Sequence, residues 1–266
     1  MRHNSEIVSE IAAFAPLSWA MEYDNVGLLV GDENGVSGRA LLSLDASEDA
    51  VKEAVEGNYD LLITHHPLIF HPLARLTAND PIAARVLLLI RHNISLISMH
   101  TNLDAARGGV NDALALALGL EEVEDFLNED QREGIPSIGR IGLIPETDGD
   151  VFARLTIEKL GANGARYVLS GKYCRRIAVA GGSCADYIDA AKEAGCDTLV
   201  TADCKYKHFT HAKDVGLNLI DAGHYATENV VILPLAERLQ KDFPDMHFDV
   251  SKTSSDPVKV IVNERK

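Results

Sequence analysis

Six side chains in this sequence combine the type and spacing that bind metal ions. His65 and His66 stand together at the end of an apolar run, LLIT, and are followed at once by Pro67. His100 closes a second apolar run, ISLISMH, with Asp104 four residues on. His224 follows a third, LNLIDAGH, with Glu228 again four residues on. A spacing of four is about one helical turn, so each histidine can meet its carboxylate on one helix face. Imidazole nitrogen and carboxylate oxygen together suit zinc, iron, manganese, nickel or cobalt. One ion takes about four protein ligands, and this inventory exceeds that, so it fits two divalent ions bridged by a carboxylate or a water. A histidine pair at a strand end can also just satisfy backbone groups, and His65 and His66 alone would not decide between the two.

The elements that must position these residues can be read from hydrophobic pattern. ALLSLD, YDLLIT and ISLISMH read as buried strands, separated by the helices ASEDAVKEAVEG, closed by Gly57, and the one opened by Asp80 and Pro81. Asn4 or Ser5 is expected to cap a first helix that Pro16 ends. GGVNDALALALGL is a helix ending at Gly119, and another is expected around 150–160. Strands alternating with helices predict an α/β fold of parallel β-α-β units, in which ligands bind at the carboxyl ends of the strands.

The two halves resemble each other. Leu41–Thr64 and Ile177–Thr201 share one order: strand, small-residue turn, amphipathic helix, Gly, Asp, apolar strand, Thr. The histidine-to-carboxylate spacing then recurs at His100 and His224. Common β-α-β architecture would give part of this likeness, but the recurring pair favours an internal duplication. Two similar interlinked lobes are expected. The first is 1–126, completed by 227–266, and the second is 127–226. Ala202 and Asp203 stand where the first half has His65 and His66, so a site between the lobes would be asymmetric.

The remaining signals are weaker. Of ten histidines, His3, His71, His92, His208, His211 and His247 need no role, although His208 and His211 follow the second-half strand as His65 and His66 follow the first. GGSC (181–184) reads as a tight turn rather than a phosphate loop. Cys174, Cys184, Cys196 and Cys204 form no C-x-x-C pair, which makes a zinc ribbon unlikely and fits free thiols in a cytoplasmic protein. A net charge of −15 opposes nucleic acid and anionic membranes. No apolar run approaches the length of a membrane span, and the first residues lack an export signal.

The segments DNVGLLVGD (24–32), ITHHPLIF (63–70), HTNLDAARGGVNDALA (100–115), GRIG (139–142), AVAGGSCADYI (178–188) and DAGHYATE (221–228) resemble the GTP cyclohydrolase 1 type 2 homologue family, also called the Nif-three-like proteins, nearly end to end. The resemblance implies a dinuclear metal centre with His65, His66, Asp104, His224 and Glu228 as ligands and His100 at or beside the ions. It also implies a toroidal homohexamer. Its name implies a metal-dependent hydrolase acting on a nucleotide-like or cyclic amide or phosphoester small molecule. A non-catalytic metal or metal-cofactor carrier is the alternative, because no separate nucleophile or leaving-group acid is evident. Cys184 and the Thr201–Ala202–Asp203 turn depart from the family's usual residues without touching a ligand position.

Overall fold

The computed structural model describes residues 1–126, 134–171 and 173–261. Residues 127–133, where the second lobe is expected to begin, lie outside the described residues. The chain forms a mixed α/β protein of two compact units. One comprises Met1–Gly109 with Val231–Ser254, and the other Val110–Val230 with the segment from Ser255.

The first unit is built on a five-stranded sheet in the order His247–Val250, Arg39–Ser43, Leu61–Thr64, Ser95–Ser98, Gly27–Val30. The first four are parallel and the last is antiparallel. Leu61–Thr64 and Ser95–Ser98 are buried at every position, which is why they read as unbroken apolar runs rather than alternating ones. Leu41, Leu62 and Leu96 pack against Val51, Ala54, Val86 and Leu89 of the helices Glu48–Glu56 and Pro81–Arg91. Asp80 caps the latter, accepting from the Ile82 and Ala83 N–H groups at 2.9 Å. The first helix, Asn4–Phe14, follows His3 and so starts one or two residues earlier than a cap at Asn4 or Ser5 implies. Asn4 is no cap: it is buried, and its amide donates to Asp32 O (2.8 Å) and Ser95 Oγ (2.9 Å).

The second unit has a six-stranded sheet in the order Glu121–Asp125, Arg140–Thr147, Cys174–Val179, Thr198–Thr201, Asn218–Asp221, Arg166–Val168. Cys174–Val179, Thr198–Thr201 and Asn218–Asp221 run parallel, flanked by antiparallel partners. Alternate strand residues face opposite layers. Ala178, Leu199 and Leu219 join Ile188, Ala191 and Ala212 on one side. Ile177, Val179, Val200 and Ile220 join Leu114, Leu118 and Phe152 on the other. Both sheets therefore carry three central parallel strands with an antiparallel strand beyond the third. No helix among the described residues is long and apolar enough to cross a membrane.

Candidate metal centre

In the first unit, Thr64 lies opposite Ser98 in parallel register, so the residues that follow leave the sheet side by side. His65 and His66 follow one strand, and Met99 and His100 the other. His65 is buried, and its Nδ1 lies 2.8 Å from the Met99 carbonyl oxygen. A carbonyl only accepts, so Nδ1 carries the proton and Nε2 keeps its lone pair. His66 Nδ1 is 2.8 Å from Asp45 Oδ1, and His100 Nδ1 is 2.9 Å from Asp24 Oδ1. All three rings are thus oriented through Nδ1, which makes Nε2 the atom each has to offer a metal. One ring nitrogen from each of the three lies within 4.8 Å of the other two. The ring centroids are 4.9 Å (His65–His66), 5.2 Å (His65–His100) and 5.5 Å (His66–His100) apart.

Asp104 joins them from the helix Thr101–Ala105, where its N–H donates to the His100 carbonyl at 3.0 Å. It is buried, and its Oδ1 lies 3.6 Å from His65 Nε2. The first unit thus gathers three imidazoles and a carboxylate, a nitrogen-rich donor set that fits a transition metal.

The electrostatics follow from Asp24. Burial alone would raise its pKa. Hydrogen bonds from His100 and Thr101 outweigh this and hold it at about 2, so it stays ionised. Burial would lower the pKa of His100, but the Asp24 hydrogen bond and the charges of Asp104 and Asp24 raise it above the ordinary value.

In the second unit, His224 opens the helix His224–Glu228, just past the strand Asn218–Asp221. Its Nδ1 lies 2.8 Å from Asp203 Oδ2, and its Nε2 lies 3.0 Å from Glu228 Oε2. A neutral imidazole can donate to one carboxylate only. With Nδ1–H given to Asp203, Nε2 and Glu228 Oε2 face each other as two acceptors. A proton shared between them, or a metal ion taking both as ligands, would hold such a pair together.

Gly181 and Gly182 explain how Glu228 fits. Gly182 has φ +64°, and a Cβ there would stand 2.1 Å from Glu228 Oε1 and 3.3 Å from His224 Nε2. Gly181 N–H donates to Asn111 Oδ1 (2.8 Å), and Gly182 N–H donates to Thr227 Oγ1 (3.1 Å). The GGSC segment is a tight turn whose bare backbone backs a candidate ligand. Sequence reasoning missed that role, and it missed Asp24, Asp45 and Asp203. Asp24 opens the DNVGLLVGD segment and Asp45 ends the run LLSLD, but neither position alone points to an imidazole.

Of the histidines without an assigned role, His208 is nearly buried. Its Nδ1 accepts from the Lys205 N–H at 3.0 Å, and its Nε2 lies 3.3 Å from Asp186. With Nδ1 an acceptor, the proton belongs on Nε2, which does not suit a metal ligand. His211 Nε2 meets Asp189 at 2.7 Å. All four cysteines are free thiols.

A family model described as Duf34/NIF3 (NGG1p interacting factor 3) matches residues 3–257. The chain is 33% identical over 261 residues to the GTP cyclohydrolase 1 type 2 homolog of Clostridium perfringens, an alignment that covers 97% of this chain and 99% of that protein. Among solved structures it resembles a Bacillus cereus protein related to NIF3 with a TM-score of 0.90 at 25% identity, covering 98% of this chain and 99% of the other. It resembles Staphylococcus aureus protein SA1388 with a TM-score of 0.89 at 29% identity, with the same coverage. A match that runs nearly the whole length in both sequence and structure, and that includes every candidate ligand, means that this chain belongs to the Duf34/NIF3 family.

Proposed function

We propose that the chain binds two divalent metal ions and acts as a metal-dependent hydrolase on a nucleotide-like or cyclic amide or phosphoester substrate. His65, His66, Asp104, His224 and Glu228 are the ligands, with His100 at or beside the ions. Glu228, at the end of the last ligand-bearing turn, would be the carboxylate best placed to serve both ions. The observation that carries this reading is the first-unit cluster, three imidazoles each anchored through Nδ1 with their ring nitrogens gathered within 4.8 Å. Histidines that merely fill a core have no reason to share that orientation.

Bound dications would supply Lewis acidity and bring the pKa of a water toward 7. The protein's part is orientation. Met99 O, Asp45, Asp24 and Asp203 fix the rings, and ionised Asp24 keeps His100 placed to hold or accept a proton. The ligand set is uneven, with four candidates in the first unit and two in the second. One ion would therefore be held more tightly, and the looser one would keep a coordination position for substrate. The name of the Clostridium perfringens relative points to the same substrate class. The working assembly is a toroidal homohexamer, which light scattering would test directly.

The deciding experiment strips the protein, reloads it with zinc, manganese, iron, nickel or cobalt in turn, and counts ions per chain by elemental analysis. Two per chain are expected, with Glu228→Ala weakening both and His65→Ala chiefly one. One ion or none at saturation would overturn the paired centre. Full loading without turnover of GTP, cyclic nucleotides or phosphoesters would turn the reading to a metal carrier.

A further inference from the structure

We propose that Tyr23 and Phe70 form an aromatic shelf beside the histidine cluster that stacks a planar heterocyclic ring, the base of a nucleotide. The inference rests on the reading above only for what the rest of that ligand meets. Phe70 lies edge-on to His100, with centroids 6.2 Å apart, and Tyr23 lies 6.3 Å from Phe70 with the two rings tilted by 55°, so that a planar ligand would stack on one ring and meet the edge of the other. His71 packs edge-on against Phe70, with centroids 4.9 Å apart. Tyr23 is 65% exposed, and Phe70 is partly so.

The shelf is built by the chain around it. Three consecutive residues, Tyr23, Asp24 and Asn25, divide the work. Asp24 has its side chain wholly buried, where it takes His100 Nδ1 and the Thr101 N–H. Asn25 Nδ2 donates to the Ile69 carbonyl at 2.6 Å and so pins the turn that presents Phe70. Met21 N–H donates to Thr101 Oγ1 at 2.9 Å, which ties the near side of the loop to the same helix start. Tyr23 thus sits in a loop whose contacts also place His100 and Phe70, and it remains 65% exposed. Rings held in place in advance lose little freedom on binding, and stacking on them tolerates any base. A nucleobase on this shelf would leave its sugar and phosphate within reach of the histidine cluster.

Calorimetry on the metal-loaded protein with GMP, AMP and UMP, against ribose 5-phosphate as the probe that lacks a base, tests the shelf. The nucleotides should bind about tenfold or more tighter than ribose 5-phosphate. Tyr23→Ala and the milder Phe70→Leu should each remove most of that ratio while leaving ribose 5-phosphate affinity, ion count and melting temperature near wild type. Equal affinity for nucleotides and ribose 5-phosphate in the wild type, or variants that keep the ratio, would overturn the shelf even if two ions are bound. Variants that change only the oligomeric mass would mean that a second copy of the chain uses these rings, and would overturn it too. Failure to load metal would instead sink the metal centre, and the ratio, measured on the metal-free protein, would still read the shelf.

Discussion

Replacing Gly182 by alanine should separate metal binding from folding. The position has φ +64°, where a non-glycine residue costs about 1–2 kcal/mol. The added Cβ would also stand 2.1 Å from Glu228 Oε1 and 3.1 Å from Glu228 Cδ, too close to tolerate. Two responses exist. The backbone can retreat, straining the Gly182–Thr227 and Gly181–Asn111 hydrogen bonds, each worth about 1 kcal/mol. Or the carboxylate, the far end of a flexible side chain, can swing away, leaving His224 Nε2 without it. The second costs less, so G182A should fold with only the backbone penalty, a melting point lower by about 2–8 °C in the metal-free protein. The displaced Glu228 should weaken at least one ion by about 10- to 100-fold in calorimetric titration, the usual effect of misplacing a ligand's surroundings. Gly161→Ala is the control. Gly161 has a nearly identical φ of +61° and nothing within 4 Å of an added Cβ, so it should show the same loss of melting temperature with normal ion binding. A G182A protein that binds both ions at wild-type affinity would refute the assignment of Glu228 as a ligand. Equal metal loss in G161A would refute the local mechanism.

Asp45→Ala should leave the His66 ring without its Nδ1 acceptor and weaken metal by about 10- to 100-fold, read by competition with a chromogenic chelator. Asp203 has φ +53°, a conformation asparagine tolerates better than alanine, so Asp203→Asn should keep the melting temperature and part of the metal affinity while Asp203→Ala lowers both. Burial pushes Cys204 to about 12 and Cys196 to about 11, so at pH 8 a disulfide reagent should reach half-buried Cys184 first and these two only on unfolding. Burial would raise the pKa of Glu53, but hydrogen bonds from Lys252, Ser251 and Thr253 outweigh it and lower the value below 4.5. The stabilisation is therefore present above the ordinary carboxylate range and lost as the pH falls through the lowered value, and the protection of the Lys252 and Thr253 amides, taken relative to an unstructured peptide at each pH, should fall on acidification.

The strands that carry the histidines were legible because burial on both faces removes the alternation that usually disguises a strand. Leu61–Thr64 and Ser95–Ser98 stand in the sequence as plain apolar runs with histidines at their ends. Helix starts were legible where a side chain caps locally, as at Asp80, and misread where a polar residue near a helix start is used elsewhere, as at Asn4. The aspartates that orient the rings were not legible. Asp24 is 76 residues from His100, and Asp45 and Asp203 are each 21 residues from their histidines. Local periodicity carries no information about such pairings, which exist only once the sheet sets neighbouring strand ends side by side.

The likeness of the halves also has a physical limit. Each sheet places a histidine just past its third central parallel strand, at the start of a short helix with a carboxylate one turn on. Each of those histidines gives Nδ1 to an aspartate, yet the two aspartates come from unrelated places. Asp24 precedes the antiparallel strand Gly27–Val30 of the first unit, whereas Asp203 follows the central strand Thr198–Thr201 of the second. Asp203 stands where the first half has His66. In the second unit, then, the residue after the middle strand orients the histidine, whereas in the first it is itself a candidate ligand and is oriented by Asp45. Putting histidine at 203 would not rebuild the first-unit cluster, because it would remove the group that turns His224 toward Glu228.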